Sequence, residues 1–251
     1  MQRYIIKKEQ IFNNQIQMNK DDSYHIAKVM RMQKGDKLIC STEELTYFCE
    51  VHYVDLNQTT LTILESYQEQ TELPVFISIA HGLVMKTKME EVVEKISLLG
   101  ASEYVFFPME RSNVKMIDEK LDKKLARLNK IAKEASEVAH RTKVLESINL
   151  KNFNDFIKYA SKFDYVLYAY EETNPQDGSF KDVAKKLKPN DKVLILVGPE
   201  GGISKKEVEI LNQHKCIPIT LGPRILRTEV APTYIMAALS YELEIEDKHE
   251  I

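Results

Sequence analysis

A chain of 251 residues can hold one large domain or a small one beside a medium one, because single cores usually stop growing beyond roughly 250 residues. Hydrophobic residues at 43% and charged residues at 29% are ordinary for a folded globular protein, which excludes disordered and fibrous classes. The net charge of −3 gives no overall signal of a polyanion binder, so any such surface has to come from uneven distribution.

The first 72 residues carry short alternating runs, KLICST (37–42), TYFCEVHYV (46–54) and TTLTILESY (59–67), which predict strands of a small barrel or sheet. Between the first strands HIAKVMRMQKGDKL predicts a helical turn with Ile26, Val29, Met30 and Met32 on one side, ended by Gly35-Asp36. Leu73-Pro74 breaks the pattern, and the domain boundary is placed there, giving domains 1–72 and 73–251.

From Val75 strands alternate with helices, the grammar of an α/β domain with a mostly parallel sheet. VFISIAHGLV is the first strand, and KMEEVVEKISLLG is a helix with Met89, Val92, Val93, Ile96 and Leu99 at three- and four-residue spacing. YVFFP (104–108) is a second strand. A long helix from about Asp118 to His140 then turns Leu121, Leu125, Leu128, Ala132, Ala135 and Ala139 inward. Around it, from Arg111 to Lys151, eleven Lys/Arg stand against six acids; this is either a basic surface for RNA or a merely solvated helix face. YVLYAY (165–170), KVLILVG (192–198) and CIPITLG (216–222) are three more strands, apolar enough to be buried on both faces. PTYIMAALSYELE closes the chain as a helix with Pro232 in its first turn.

No apolar run approaches the length of a membrane-spanning helix; runs such as VLILV (193–197) are far too short, and the expected location is cytoplasmic. Cys40, Cys49 and Cys216 are odd in number and lack CxxC spacing, so neither a disulfide framework nor a zinc site is expected. His52, His81, His140, His214 and His249 show no ligand spacing, and no metal is expected.

Of only eight glycines, Gly198, Gly201, Gly202 and Gly222 fall in two loops directly after buried strands. In open α/β sheets ligands bind beyond the carboxyl ends of strands, where glycine lets backbone approach a ligand or take positive φ. The first loop is VGPEGGISKKE, in which Ser204 and Glu207 form an S-x-x-E capping box that starts a helix near Lys205. It matches neither the G-x-G-x-x-G nor the G-x-x-x-x-G-K-[ST] pattern, which disfavours a dinucleotide or ATP site of the usual kind. The second loop, LGPRILRTEVAPT, alternates Arg224, Arg227 and Glu229 with Ile225 and Leu226 where a plain connector would suffice.

Together LVGPEGGISKKE (196–207) and LGPRILRTEVAP (221–232) closely resemble the signature loops of RsmE-type 16S ribosomal RNA methyltransferases, members of the knotted SPOUT class. KTKMEEVVEKISLLGASEYVFFPMERS (86–112), KEASEVAHR (133–141) and HIAKVMRMQKGD (25–36) resemble further blocks of that family, so the resemblance spans essentially the whole chain. It implies a C-terminal SPOUT trefoil-knot domain behind a small PUA-like β-barrel, a homodimer, and S-adenosyl-L-methionine as cofactor. The cofactor would be held by Ala169, Tyr170 and Glu171, by Leu196, Val197, Gly198, Pro199, Glu200, Gly201 and Gly202, and by Leu221, Gly222, Arg224, Ile225, Leu226, Arg227 and Thr228. One departure is Val230, where the family usually has threonine and its hydroxyl.

The implied substrate is a uridine of 16S ribosomal RNA in the small subunit, near the decoding centre, methylated at N3. That nitrogen carries a proton which must leave, so Glu229 is the candidate acceptor and Arg227 the candidate to stabilise charge on the uracil oxygens. Glu229 as a structural ion-pair partner of Arg227 is an equal alternative. Arg3, His25 and Arg31 in the first domain, with Arg111 and Arg141 in the second, are the candidates for positioning RNA. A ribose 2′-oxygen or transfer RNA target, and a non-catalytic assembly factor, stay open as other readings.

Overall fold

The computed structural model describes residues 1–115, 118–173 and 180–245; His249 lies outside them. The described residues divide into two compact units: Met1–Glu72 with Ser136–Val144, and those of Leu73–Ala135 with those from Leu145 onward. Residues 136–144, assigned to the second domain from sequence, thus cluster with the first unit.

In the first unit β1 (Arg3–Ile5), β2 (Ile11–Phe12), β3 (Gln15–Gln17), β4 (Lys37–Ser41), β5 (Thr46–Tyr53) and β6 (Thr60–Tyr67) form one sheet ordered β1-β4-β5-β6-β3-β2. Only β1 with β4 is parallel. Side chains alternate across such strands, so Leu38, Cys40, Cys49, Val51 and Leu61 share a buried core with Tyr4, Ile16, Met18 and Ile26. The short helix α1 (Lys20–Tyr24) is capped by Asn19, whose side chain accepts from the backbone N–H of Asp22 at 2.9 Å.

After α1 the chain widens into one π-helical turn, His25–Val29, with the N–H of Met30 donating to the carbonyl of His25. The wider turn overturns the helical side expected for this segment: Ile26 is buried and Met32 packs on the core, but Val29 and Met30 are 58% and 43% exposed. Arg31 follows with φ 52°, in the left-handed region where a side chain is strained.

The second unit is built on β7 (Phe76–Gly82), β8 (Glu103–Phe107), β9 (Glu146–Asn149), β10 (Tyr165–Ala169), β11 (Lys192–Val197) and β12 (Ile217–Ile219). All its ladders are parallel, in the order β12-β10-β11-β7-β8-β9. The chain steps outward from β7 through β8 to β9 and then returns to the other side, so the order reverses between β7 and β11. Such a switch point leaves a crevice at the carboxyl ends of the strands.

The covering helices are α2 (Lys86–Leu98), α3 (Leu121–Val138), α4 (Phe153–Ala160), α5 (Phe180–Ala184), α6 (Lys205–Gln213) and α7 (Ala231–Glu244). On α2, Met89, Val92, Val93 and Ile96 are buried, each stabilising the fold by on the order of 2 kcal/mol. Gly100 ends the segment with φ 92°. All three cysteines are buried and free. Among the described residues no helix is long and apolar enough to cross a membrane.

Candidate active site

Three loops leave the carboxyl ends of β10, β11 and β12 and enclose a cavity of about 780 Å³ with Lys88 and Ala231. That volume is in the range of small-molecule sites, roughly 300–1,000 Å³. Of the cofactor-binding residues expected from sequence, Leu196 lies within β11 and is fully buried; the other sixteen line the cavity.

The loop after β11 is shaped by its glycines. Gly202 has φ 73°, and a Cβ there would stand 3.3 Å from the Glu171 carboxylate. A Cβ on Gly201 would meet the Cβ of Arg111 at 2.8 Å, closer than real Cβ contacts. Arg111 in turn donates from Nη1 to the carbonyl of Gly201 at 3.1 Å, so this expected RNA-positioning residue is built against the cavity rim. The predicted capping box is present: Ser204 Oγ accepts from the Glu207 N–H, and Glu207 Oε2 accepts from the Ser204 N–H. The Glu110 N–H donates to Glu207 and the Ser204 hydroxyl donates to Glu110, which braces the loop from the β8 side.

The loop after β12 is more open. Gly222 has φ 108° and nothing within 4 Å of where a Cβ would stand, so the backbone offers room to a ligand. Arg224 and Arg227 are exposed, and Ile225 is 88% exposed. Thr228 is the buried member of the loop. Its hydroxyl donates to the carbonyl of Gly198 at 2.6 Å and faces Nε2 of His81 at 2.7 Å.

Lys88 was not among the expected site residues. Its Nζ lies 3.0 Å from Glu200 and 3.3 Å from Glu229, bridging both carboxylates. Its pKa is raised, first by the hydrogen bond to Glu200. For Glu229 burial pushes the carboxyl up, but its backbone hydrogen bond, Lys88 and the charge of Arg227 together hold it below the ordinary value. The sequence held one signal for Lys88: α2 begins with Lys86 and Lys88 in its first turn and no side-chain cap, where the helix dipole disfavours cations. His81 is a second omission, a lone titratable residue in a mostly apolar strand.

The fit to S-adenosylmethionine can be judged from these groups. The Thr173 hydroxyl lines the cavity and is buried without a partner among the described residues. Glu171 supplies negative charge suited to an ammonium or sulfonium, while Ile203, Leu221 and Leu226 supply apolar surface for an aromatic base. The residues present fit the group.

Two of the residues expected to position RNA are engaged inside the first unit. Arg3 is buried and paired with Glu69, donating from Nη2 to Oε1 at 3.0 Å as well as from Nη1. Arg141 is buried and donates from Nη2 to Glu72 at 2.7 Å. Charges consumed by internal carboxylates are not presented to a phosphate. His25 is half-buried and hydrogen-bonded through Nδ1 to the Tyr4 hydroxyl at 2.9 Å; Arg31 and Arg111 are exposed.

Comparison with known proteins agrees with this architecture. Residues 71–240 match a family model described as an RNA methyltransferase domain, and residues 19–64 match one described as an RNA methyltransferase PUA domain. Fold and cavity therefore define an RNA methyltransferase with a PUA domain before its main domain. The chain is 37% identical to ribosomal RNA small subunit methyltransferase E of Bacillus subtilis (strain 168), over 98% of each chain. On that similarity it belongs to the ribosomal RNA small subunit methyltransferase E family. The crystal structure of a hypothetical protein superposes with a TM-score of 0.89 at 36% identity, covering 97% of this chain and 99% of that one. A methyltransferase from Legionella pneumophila, solved with bound cofactor SAM, superposes with a TM-score of 0.85 at 25% identity, covering 94% and 96%.

Proposed function

We propose that this protein transfers a methyl group from S-adenosyl-L-methionine to N3 of one uridine in 16S ribosomal RNA, near the decoding centre of the small subunit. The observation that carries the reading is the cavity of about 780 Å³ formed by three loops at one sheet edge, two of them bearing the family's signature sequences. The cofactor-bound relative from Legionella pneumophila supports the donor.

The backbone of Ala169–Glu171, Leu196–Gly202 and Leu221–Thr228 would hold the cofactor. When bound, it supplies an electrophilic methyl on a positively charged sulfur. The chain's own residues then prepare the acceptor. Uracil N3 must lose its proton before it can form a bond to carbon, and the base must first leave its stack. Glu229, ionised at neutral pH and half-buried at the cavity, takes that proton. Arg227, exposed on the same loop, balances negative charge developing on the uracil oxygens. Lys88 holds Glu229 in place and its ionised form in readiness. Arg31 and Arg111 position the RNA backbone, together with His25.

In this reading residues 1–72 form the RNA-recognising domain and residues 73–251 the methyl-transferring domain, whose last segment is threaded as a trefoil knot. The working form is a cytoplasmic homodimer. The test is to incubate unmodified small ribosomal subunits with the protein and labelled S-adenosylmethionine, then map the label and identify the nucleoside. N3-methyluridine at a single position is the expected product. Label on a ribose 2′-oxygen, on transfer RNA alone, or nowhere, overturns the reading.

A further inference from the structure

The loops after β11 and β12 face each other across the cavity, but their strands are not neighbours, because β10 lies between them. No backbone ladder therefore fixes one loop against the other. Side chains make the connection: Lys88 bridges Glu200 and Glu229, and four further groups stand in line, the Tyr104 hydroxyl, the His81 ring through both nitrogens, the Thr228 hydroxyl and the Gly198 carbonyl.

The protons in this line can be assigned from its end. A carbonyl only accepts, so the single hydroxyl proton of Thr228 is committed to Gly198 at 2.6 Å. Thr228 Oγ1 must then accept from His81 Nε2 at 2.7 Å, which places the imidazole proton on Nε2. A neutral ring leaves Nδ1 bare, to accept from the Tyr104 hydroxyl at 2.9 Å. Burial favours this neutral form: His81 is fully buried and its pKa is lowered to about 4, while burial pushes the Tyr104 phenol up so that it keeps its proton. Every donor and acceptor in the line is used once. His81 and Tyr104 stand on adjacent strands, β7 and β8, their rings edge to face at 5.9 Å, so the line starts from the rigid sheet.

We propose that His81 is a positioning residue of the active site: anchored by Tyr104, it orients the Thr228 hydroxyl so that the loop after β12 is held on the Gly198 carbonyl. Thr228 lies between Arg227 and Glu229, so the same tether sets the two groups that meet the substrate. The inference rests on the reading of the cavity as the methyl-donor site.

The test uses the full chain and titrates S-adenosylmethionine and its demethylated product, S-adenosylhomocysteine, by calorimetry. His81→Leu removes both ring nitrogens at similar bulk, and Thr228→Val removes the hydroxyl at nearly constant shape. Each is expected to weaken donor binding at least tenfold, and the double variant to be no weaker than the worse single one, since both break the same tether. His81→Gln, whose amide can donate to Thr228 from about the Nε2 position, is expected to recover most of the affinity. A lost general packing role for His81 would not be restored by one donor. If His81→Leu folds poorly because the Tyr104 hydroxyl is left buried alone, His81→Leu with Tyr104→Phe removes that orphan and is measured in its place. Donor binding by Thr228→Val equal to wild type, additive losses, or a Gln variant as weak as Leu overturns the inference. An unsubstituted protein that binds neither compound overturns the donor-site reading itself.

Discussion

Glu229 illustrates how neighbouring charge sets the working range of a side chain. Its backbone hydrogen bond, Lys88 and Arg227 hold its carboxyl below the ordinary value, so it is ionised throughout the neutral range, the state that the proposed acceptor role requires. Glu229→Gln is expected to lower kcat by about 10²- to 10⁴-fold with cofactor affinity little changed, as for loss of a general base. Single-turnover methylation with calorimetry measures both, and full activity removes the role. A group that must be deprotonated to act loses function as pH falls through its folded-state pKa. In the wild type that loss lies below the usual carboxylate range. Lys88→Met removes one of the groups that lower the Glu229 pKa, so the acid limb of the kcat/KM profile is expected to move to higher pH. An unmoved limb means that Lys88 does not govern the acceptor.

At the scale of elements, the loop after β11 depends on backbone shapes that other residues resist. Gly202 at φ 73° would meet Glu171 if it carried a Cβ, so Gly202→Ala combines left-handed strain of about 1 kcal/mol with a displaced cavity wall. Weaker cofactor binding is expected, with a fall in stability near that figure, read by calorimetry and urea unfolding; unchanged binding would show that this loop does not cradle the ligand. The π-helical turn after α1 matters in another way. It leaves Arg31 exposed, the most accessible of the RNA candidates in the first unit. Arg31→Ala and Arg111→Ala are each expected to reduce the salt dependence of RNA binding by about one released counterion. Equal slopes for variant and wild type in filter-binding titrations would remove the phosphate contacts.

For the whole molecule, the first unit is closed by segments far apart in sequence. Glu72 accepts from Arg141 and from the backbone N–H groups of Thr142 and Lys143, about 70 residues downstream. Glu72→Ala takes that carboxylate away from a buried guanidinium, and a loss of about 3 kcal/mol is expected in chemical denaturation. A change under about 1 kcal/mol would show the pair to be dispensable. The burial of Arg3 and Arg141 is not legible in the sequence. A charged residue in a basic stretch carries no mark of whether a carboxylate awaits it inside.

The sequence by itself determined the alternation of strands and helices in the second unit, the capping box at Ser204, the start of the two glycine-bearing loops and the family. These features are local: apolar period, turn glycines and caps act over a few residues, and two contiguous loops carried the resemblance. Tertiary structure alone decided which charges meet. The Lys88 bridge to Glu200 and Glu229 and the line from Tyr104 through His81 to Thr228 join residues more than one hundred positions apart, except where Tyr104 meets His81 from the next strand. Such pairings arise from strand order in the folded sheet, and no spacing along the chain encodes them.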